Sequence, residues 1–373
     1  MLEISLCMIV RNEENSLPRC LSSVRRIADE IIIVDTGSSD RTKEIAASFG
    51  AVLYDFVWID DFSAARNYAF SKATKEYILW LDADDYLKEE DQTRLEALKR
   101  TLSPEVDSVS MQYNLAFDSE GRVLTSLRRN RLVRRSRNFR WIGPVHEYLE
   151  VYGNLYSSDV CVTHEKDKAY TDRNLRIYRK REAEGESFSP RDQFYYANEL
   201  RDHGLAAEAA AYYERFLDGG QGWIEDNLQA CLRLGECRQQ LGDYTGAFSA
   251  LCRALQYDKP RPELCCRLAA WHLDKGQYHP AIYWYETALL LPRPADSMGM
   301  WNEAYATWLP NLQLALCYDR TGEREKANFY NETALCYQPS HPSMLYNREY
   351  FRNVLGDKYV SLQPGVSGSG SSG

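Results

Sequence analysis

The stretch YILWLDADD, residues 77–85, decides the reading of this chain: an apolar run from Tyr77 to Leu81 passes straight into Asp82-Ala83-Asp84-Asp85. Five apolar residues in a row suit a buried strand. Carboxylates at i and i+2, placed in a turn, can face one ligand. Hard oxygen ligands of this kind suit Mg2+ or Mn2+. Such an ion bridges the two phosphates of a nucleoside diphosphate and stabilises it as a leaving group. Alone, Asp-x-Asp after a strand also describes a solvated turn, so the surrounding chain has to discriminate.

Upstream, strand and helix patterns alternate. Ile4–Val10 reads as a buried strand, and Ser16 as a cap for a helix carrying Pro18 in its first turn. Ile31–Val34 is a second strand, ending in Asp35-Thr-Gly-Ser-Ser-Asp40, whose last residues can cap a further helix. Val52–Phe56 is a third strand, Phe62–Ala73 a helix and Tyr77–Leu81 a fourth strand. This alternation predicts a parallel, doubly wound sheet, in which ligands bind at the carboxyl ends of the strands. Arg11–Glu13, Asp35 and Asp82–Asp85 all fall at those ends and converge on one crevice. Val106–Phe117 and Arg122–Val133 alternate like antiparallel strands that continue the sheet.

From about Asp192 the pattern changes to paired helices. Gly242 and Gly276 are 34 residues apart, as are Ala247 and Ala281, and Ala254 and Ala288. That is the tetratricopeptide period. A further copy, Leu312–Pro339, carries Gly322, Ala327 and Ala334, displaced by an insertion holding Pro292, Pro294 and Trp301. A degenerate copy precedes them at about Gln193–Leu217. The organisation expected is an α/β domain over 1–190, an all-α solenoid over 191–355, and a Gly/Ser linker over 365–373 that carries no fold.

The strings CMIVRNEE, IIIVDTGSSDRT, FSAARNYA and YILWLDADD together resemble family-two glycosyltransferases, which have the A-type nucleotide-diphospho-sugar transferase fold. The resemblance covers roughly residues 1–165. It implies a Rossmann-like mixed sheet and a nucleotide site lined by Val10, Arg11, Glu13 and Asp35. It also implies that Arg66 and Asp82 hold base and ribose, that Asp84 binds the metal, and that Asp60 is a further contact. RWIGPVHEYL resembles the Gly-x-Val-His-Glu segment of a subset of that family. Glu147 is then the first choice for the base that deprotonates the acceptor in an inverting transfer, and Asp85 the second. His146 can contact sugar or metal or sit in a core. His164, at the end of a late apolar run, is a candidate third metal ligand. Seven arginines between Arg128 and Arg140 suggest a loop that closes over the diphosphate, with Arg131 and Arg134 as contacts.

The domain order is similar to that of sublancin-type peptide S-glycosyltransferases, which implies a UDP-sugar donor and a Cys or Ser of a bacteriocin precursor as acceptor. Transfer to a cell-surface or lipid-linked glycan, and an inactive scaffold binding partners through the repeats, are the alternatives. A solenoid offers a concave surface for a peptide or protein partner, and its exposed ends can pair two copies as a homodimer. The net charge of -9 argues against a nucleic-acid binder, which needs a basic face. No apolar run approaches the ~20 residues of a membrane span. The opening residues lack a signal-peptide pattern, and the reading is of a cytoplasmic protein with reduced cysteines.

Overall fold

A computed structural model describes residues 2–118, 121–165, 171–292 and 298–362. The expected linker at 365–373, and Pro294 of the insertion, lie outside the described residues. The chain forms two compact units, Met1–Glu199 with Ala295–Trp301, and Leu200–Pro294 with Asn302–Gly373.

The first unit is a mixed α/β domain. Its strands are β1 (Ile4–Val10), β2 (Glu30–Asp35), β3 (Val52–Asp55), β4 (Tyr77–Trp80), β5 (Asp85–Tyr86), β6 (Ser108–Phe117), β7 (Val123–Arg134), β8 (Arg140–Ile142), β9 (Tyr148–Glu150) and β10 (Leu155–His164). Between and after them run α1 (Leu17–Val24), α2 (Thr42–Ser48), α3 (Phe62–Lys72), α4 (Glu89–Thr101), α5 (Arg173–Ala183) and α6 (Pro190–Asp202). The main sheet follows the order β3-β2-β1-β4-β7-β6-β10-β5. Its first four strands are mutually parallel, whereas β7 lies antiparallel to both β4 and β6. Alternate residues of β1 explain why both faces are covered. Ile4, Leu6, Met8 and Val10 join one buried cluster with Leu17 and Leu21 of α1. Cys7 joins the other, with Ala69 of α3 and Trp80. A strand apolar on both sides belongs in the middle of a parallel sheet.

The helix starts differ in detail from the sequence reading. Ser16 precedes α1 but caps nothing with its side chain, which instead donates to Glu13 Oε2 at 2.6 Å. Asp40 does serve α2, accepting from the Thr42 backbone N–H at 3.0 Å. Asp61 caps α3 through the Ala64 N–H at 2.9 Å.

The second unit continues with α7 (Ala206–Gly219), α8 (Ile224–Gln240), α9 (Tyr244–Arg253), α10 (Pro262–Asp274), α11 (Tyr278–Leu290), α12 (Trp308–Arg320), α13 (Arg324–Tyr337) and α14 (Pro342–Leu355). The pairs α8–α9, α10–α11 and α12–α13 are tetratricopeptide-like hairpins. Gly242, Gly276 and Gly322 turn them at φ 80°, 68° and 88°, values that cost a residue with a Cβ. Gly235 of α8 faces α9 so closely that a Cβ there would lie 3.1 Å from Leu251. Ala247, Ala254, Ala281, Ala288, Ala327 and Ala334 are all buried, as close helix crossing requires. The ten cysteines are free thiols, seven of them buried, five of those in this second unit.

Candidate active site

Register brings the first polar clusters together. Val10 aligns with Asp35 across β1 and β2, so the loops leaving both strands start side by side. They interlock: the Asn12 N–H donates to Ser38 Oγ at 2.9 Å, and the Glu13 N–H to Thr42 Oγ1 at 2.7 Å. The Val10 carbonyl accepts from the Thr36 N–H. Asp35 is 1% exposed. Its Oδ1 accepts the backbone N–H groups of Gly37 and Ser38 at 3.0 and 2.9 Å, while its Oδ2 is buried with no partner. A buried carboxylate oxygen left unsatisfied is costly unless something polar meets it.

The Asp82–Asp85 turn splits its carboxylates between two jobs. Asp82 Oδ1 accepts from Arg66 at 2.7 Å. Burial works against that charge, but Arg66 and Arg131 outweigh it and hold the Asp82 carboxyl well below its usual range. Asp84 is pushed the other way, up to about 6, by burial and then by the charge of Asp82, with Asp85 and Glu13 adding to it and His164 only partly countering. Antiparallel pairing of β10 with β5 sets His164 opposite Asp85, and His164 Nδ1 lies 3.6 Å from Asp84 Oδ1 and 3.2 Å from Asp85 Oδ1. Burial disfavours the imidazolium, but the hydrogen bond to Asp85 and the carboxylates around it raise His164 above its usual value. Donor atoms of Asp84, Asp85 and His164 all lie within 4.8 Å of one another. Crowded carboxylates whose charge is under-compensated, beside an imidazole, fit a divalent cation.

Asp85 is not available as a base. It is fully buried, and four groups hold it: Tyr113 OH at 2.9 Å, His164 Nδ1 at 3.2 Å, the Asp82 N–H at 3.0 Å and Arg131 at 2.9 Å. A group that must reach an incoming acceptor cannot be enclosed in this way, which corrects the second choice made from sequence. Arg131 needs a correction as well. The arginine run is no loop through residue 134; it lies on β7, and Arg131 is 0% exposed between the rings of Trp80 and Tyr113, 3.9 and 4.4 Å away. It anchors the acidic turn from beneath instead of closing over a diphosphate. Arg134 donates to the Val106 carbonyl and Tyr77 OH.

Glu147 enters from a hairpin. β8 and β9 pair Ile142 with Tyr148, so residues 143–147, Gly-Pro-Val-His-Glu, form the tip. The tip is tied down on several sides. Asn67 of α3 exchanges two hydrogen bonds with the Trp141 backbone, both 2.9 Å, and the Phe62 N–H donates to the Pro144 carbonyl at 2.9 Å. Glu147 Oε1 accepts from Arg66 Nε at 2.6 Å. One arginine thus bridges Glu147 and Asp82, packed against the rings of Trp80 and Trp141, 5.1 and 4.7 Å away. His146 points elsewhere, onto Glu199 at 2.7 Å and against the Tyr195 ring at 4.4 Å. Asp60, at φ 61°, accepts from Trp58 Nε1 at 2.9 Å and Lys180 Nζ at 3.3 Å. Arg11 is exposed at the loop after β1.

The structure therefore gathers Glu13, Arg66, Asp82, Asp84, Glu147 and His164, with Asp85 and Arg131 beneath. Sequence reading missed Trp80, Tyr113, Trp141 and the α6 residues. Their aromatic and helical patterns look like core, and only the folded chain shows which charges they sandwich.

The description Glycosyl transferase family 2 fits residues 5–161, and Tetratricopeptide repeat fits residues 228–260. A TPR repeat-containing protein of Synechococcus elongatus is 33% identical over 327 residues, 86% of this chain and 74% of its own. The SPbeta prophage-derived glycosyltransferase SunS of Bacillus subtilis is 28% identical over 233 residues, 58% of this chain and 53% of its own, so the match spans about half of SunS. An uncharacterized glycosyltransferase of Rickettsia typhi is 35% identical over 96 residues, 26% of this chain and 32% of its own. Among the described residues no helix is long and apolar enough to cross a membrane.

Proposed function

Because the chain belongs to glycosyl transferase family 2 and carries tetratricopeptide repeats, we propose that it transfers a sugar, with inversion, from a UDP-sugar to a Cys or Ser of a peptide. The observation that carries this reading is the Arg66 bridge, which holds the Glu147 carboxylate within one side chain of Asp82. An in-line displacement needs a base close to the donor site, and the bridge brings Glu147, from the β8–β9 hairpin, beside the acidic turn after β4.

Asp84 and His164 would hold a divalent cation, Mn2+ or Mg2+, with Asp85 fixing the turn that presents them. The cation supplies positive charge for the departing diphosphate. The unpartnered Oδ2 of Asp35 takes a hydrogen bond from the nucleoside. Val10, Arg11, Glu13, Asp60 and Asp82 complete the nucleotide side. Glu147 takes the proton from the acceptor's S–H or O–H as the new glycosidic bond forms. A thiol, with an ordinary pKa of ~8.5, asks less of that base than a hydroxyl does. The SunS likeness and the repeats support a peptide acceptor, whose side chain the site would take from a chain held outside it. The pairing of two copies and a cytoplasmic setting belong to the same proposal.

The test is incubation with UDP-sugars and Mn2+ against a panel of Cys- and Ser-containing peptides, read by mass spectrometry. A hexose-sized mass gain on one peptide, lost in Asp84→Ala while the circular dichroism stays unchanged, is the expected result. Near-parent turnover in Asp84→Ala refutes the assignment of the metal site.

A further inference from the structure

Glu147 and its neighbour face opposite ways. Glu147 turns to Arg66, while His146 turns to α6. His146 also sits at φ 51°, in the left-handed region that a residue with a Cβ holds only when its surroundings fix it. Three side chains of α6 do the fixing. Arg191 donates from both Nε and an NH2 group to the His146 carbonyl, at 3.1 Å each. Tyr195 stacks on the imidazole with rings 4.4 Å apart and 19° from parallel. Glu199, 3% exposed, meets His146 Nε2 at 2.7 Å and accepts from Asn174 Nδ2 at 3.1 Å. Arg191, Tyr195 and Glu199 follow one another at spacings of four, so they share one face of the helix. Arg191 is itself braced, lying over the rings of Tyr195 and Tyr148 at 4.5 and 4.9 Å.

We infer that Arg191, Tyr195 and Glu199 are positioning residues for the transfer. By locking His146 in its left-handed conformation they set the direction in which Glu147 leaves the hairpin tip. The inference rests on the reading of Glu147 as the base. Peptide geometry gives it its force: the plane between residues 146 and 147 turns with the backbone of His146, and the Glu147 side chain turns with it. Released from α6, His146 relaxes toward the ordinary regions and carries the carboxylate off Arg66. A misplacement of about 1 Å at a reacting group costs on the order of 100-fold in rate. Donor binding should change little, because Asp35 at the end of β2 and Asp84 in the turn after β4 take no part in the contacts between His146 and α6, and Arg66 keeps its own bond to Asp82.

The experiment uses the full chain, Mn2+, UDP-glucose and a peptide that takes up sugar in the screen above. Arg191→Ala is the principal variant, since this side chain is only half-buried, and an unchanged circular dichroism spectrum checks that the fold is kept. The expected result is a 10- to 100-fold fall in kcat, with KM for UDP-glucose and calorimetric affinity for UDP within twofold of the parent. Glu199→Ala should match it, and Glu199→Gln, which keeps an acceptor for the imidazole, should recover most of the rate. A kcat within twofold of the parent in both Arg191→Ala and Glu199→Ala overturns the inference. So does a loss of UDP affinity that accounts for the fall. Glu147→Gln separates the two claims. If it still transfers sugar, the base assignment fails; if it is inactive while Arg191→Ala turns over normally, only the positioning role fails.

Discussion

Asp85→Asn removes one charge from an enclosed pair and leaves the other behind. Asp85 and Arg131 are both fully buried, with 2.9 Å between Oδ2 and the guanidinium. Arg131 Nε and one of its NH2 groups have no hydrogen-bond partner, so the guanidinium depends on Asp85, on the Trp80 carbonyl at 3.4 Å and on two aromatic rings. Breaking a buried pair from one side costs about 3–5 kcal/mol, because the remaining charge stays uncompensated. The two ring contacts persist in the variant, but they were present in the parent and cancel in the difference. For a unit of this size each kcal/mol moves the melting point by roughly 2–4 °C, so the transition should fall by roughly 6–20 °C. Arg131→Met alone should also destabilise, by leaving Asp85 charged among neighbours chosen for its partner. The double variant removes both charges, and it should be more stable than the sum of the two losses by at least about 2 kcal/mol. Calorimetry and urea unfolding of the metal-free protein provide the numbers. If Asp85→Asn costs less than about 1 kcal/mol, or if the two losses simply add, then the pair does not anchor the turn. A variant that keeps its melting point but loses kcat would return Asp85 to the list of bases.

Two further outcomes follow from the geometry. Asp84 sits at about 6 because burial and the charge of Asp82 raise it, and a cation must displace its proton; His164, also raised, must lose its proton as well. Both titrations act in one direction: Mn2+ affinity should be weakest at low pH, rise as pH climbs through about 6 where Asp84 loses its proton, and rise further as His164 loses its own. Calorimetric titration at pH 7.5, 6 and 5 measures it, and an unchanged affinity at pH 5 excludes Asp84 as a ligand. Gly276→Ala places a Cβ in open space at φ 68°, so its cost is that of the backbone alone, about 1–2 kcal/mol. A melting-point fall of roughly 2–8 °C is expected, and no change would mean that the turn between α10 and α11 does not require the left-handed conformation.

What the sequence shows and what it hides divide along a physical line. Period and residue type report local structure, so β1, the Asp82–Asp85 turn and the 34-residue repeat could be read directly. The register of β1 on β2 follows from the same apolar runs, which is why Asp35 and the Arg11–Glu13 loop could be placed on one edge. The chemistry depends on contacts that no local pattern reports. Arg66 and Glu147 are 81 positions apart, and α3 shows Arg66 only as a polar residue on a helix with small neighbours. The run from Arg128 to Arg140 misled because its charge density suggests a loop reaching over a diphosphate. In β7 the alternation of a strand turns Arg131 inward, toward a carboxylate and two rings that lie elsewhere in the chain. Arg191, Tyr195 and Glu199 do carry a signal, a spacing of four on one helix face. Its meaning depends on the left-handed His146 it meets, and nothing in Gly-Pro-Val-His-Glu requires that conformation. The residues proposed to bind donor and metal therefore sit on strand ends that patterning locates, whereas those proposed to aim the base act through long-range contacts that only the folded chain specifies.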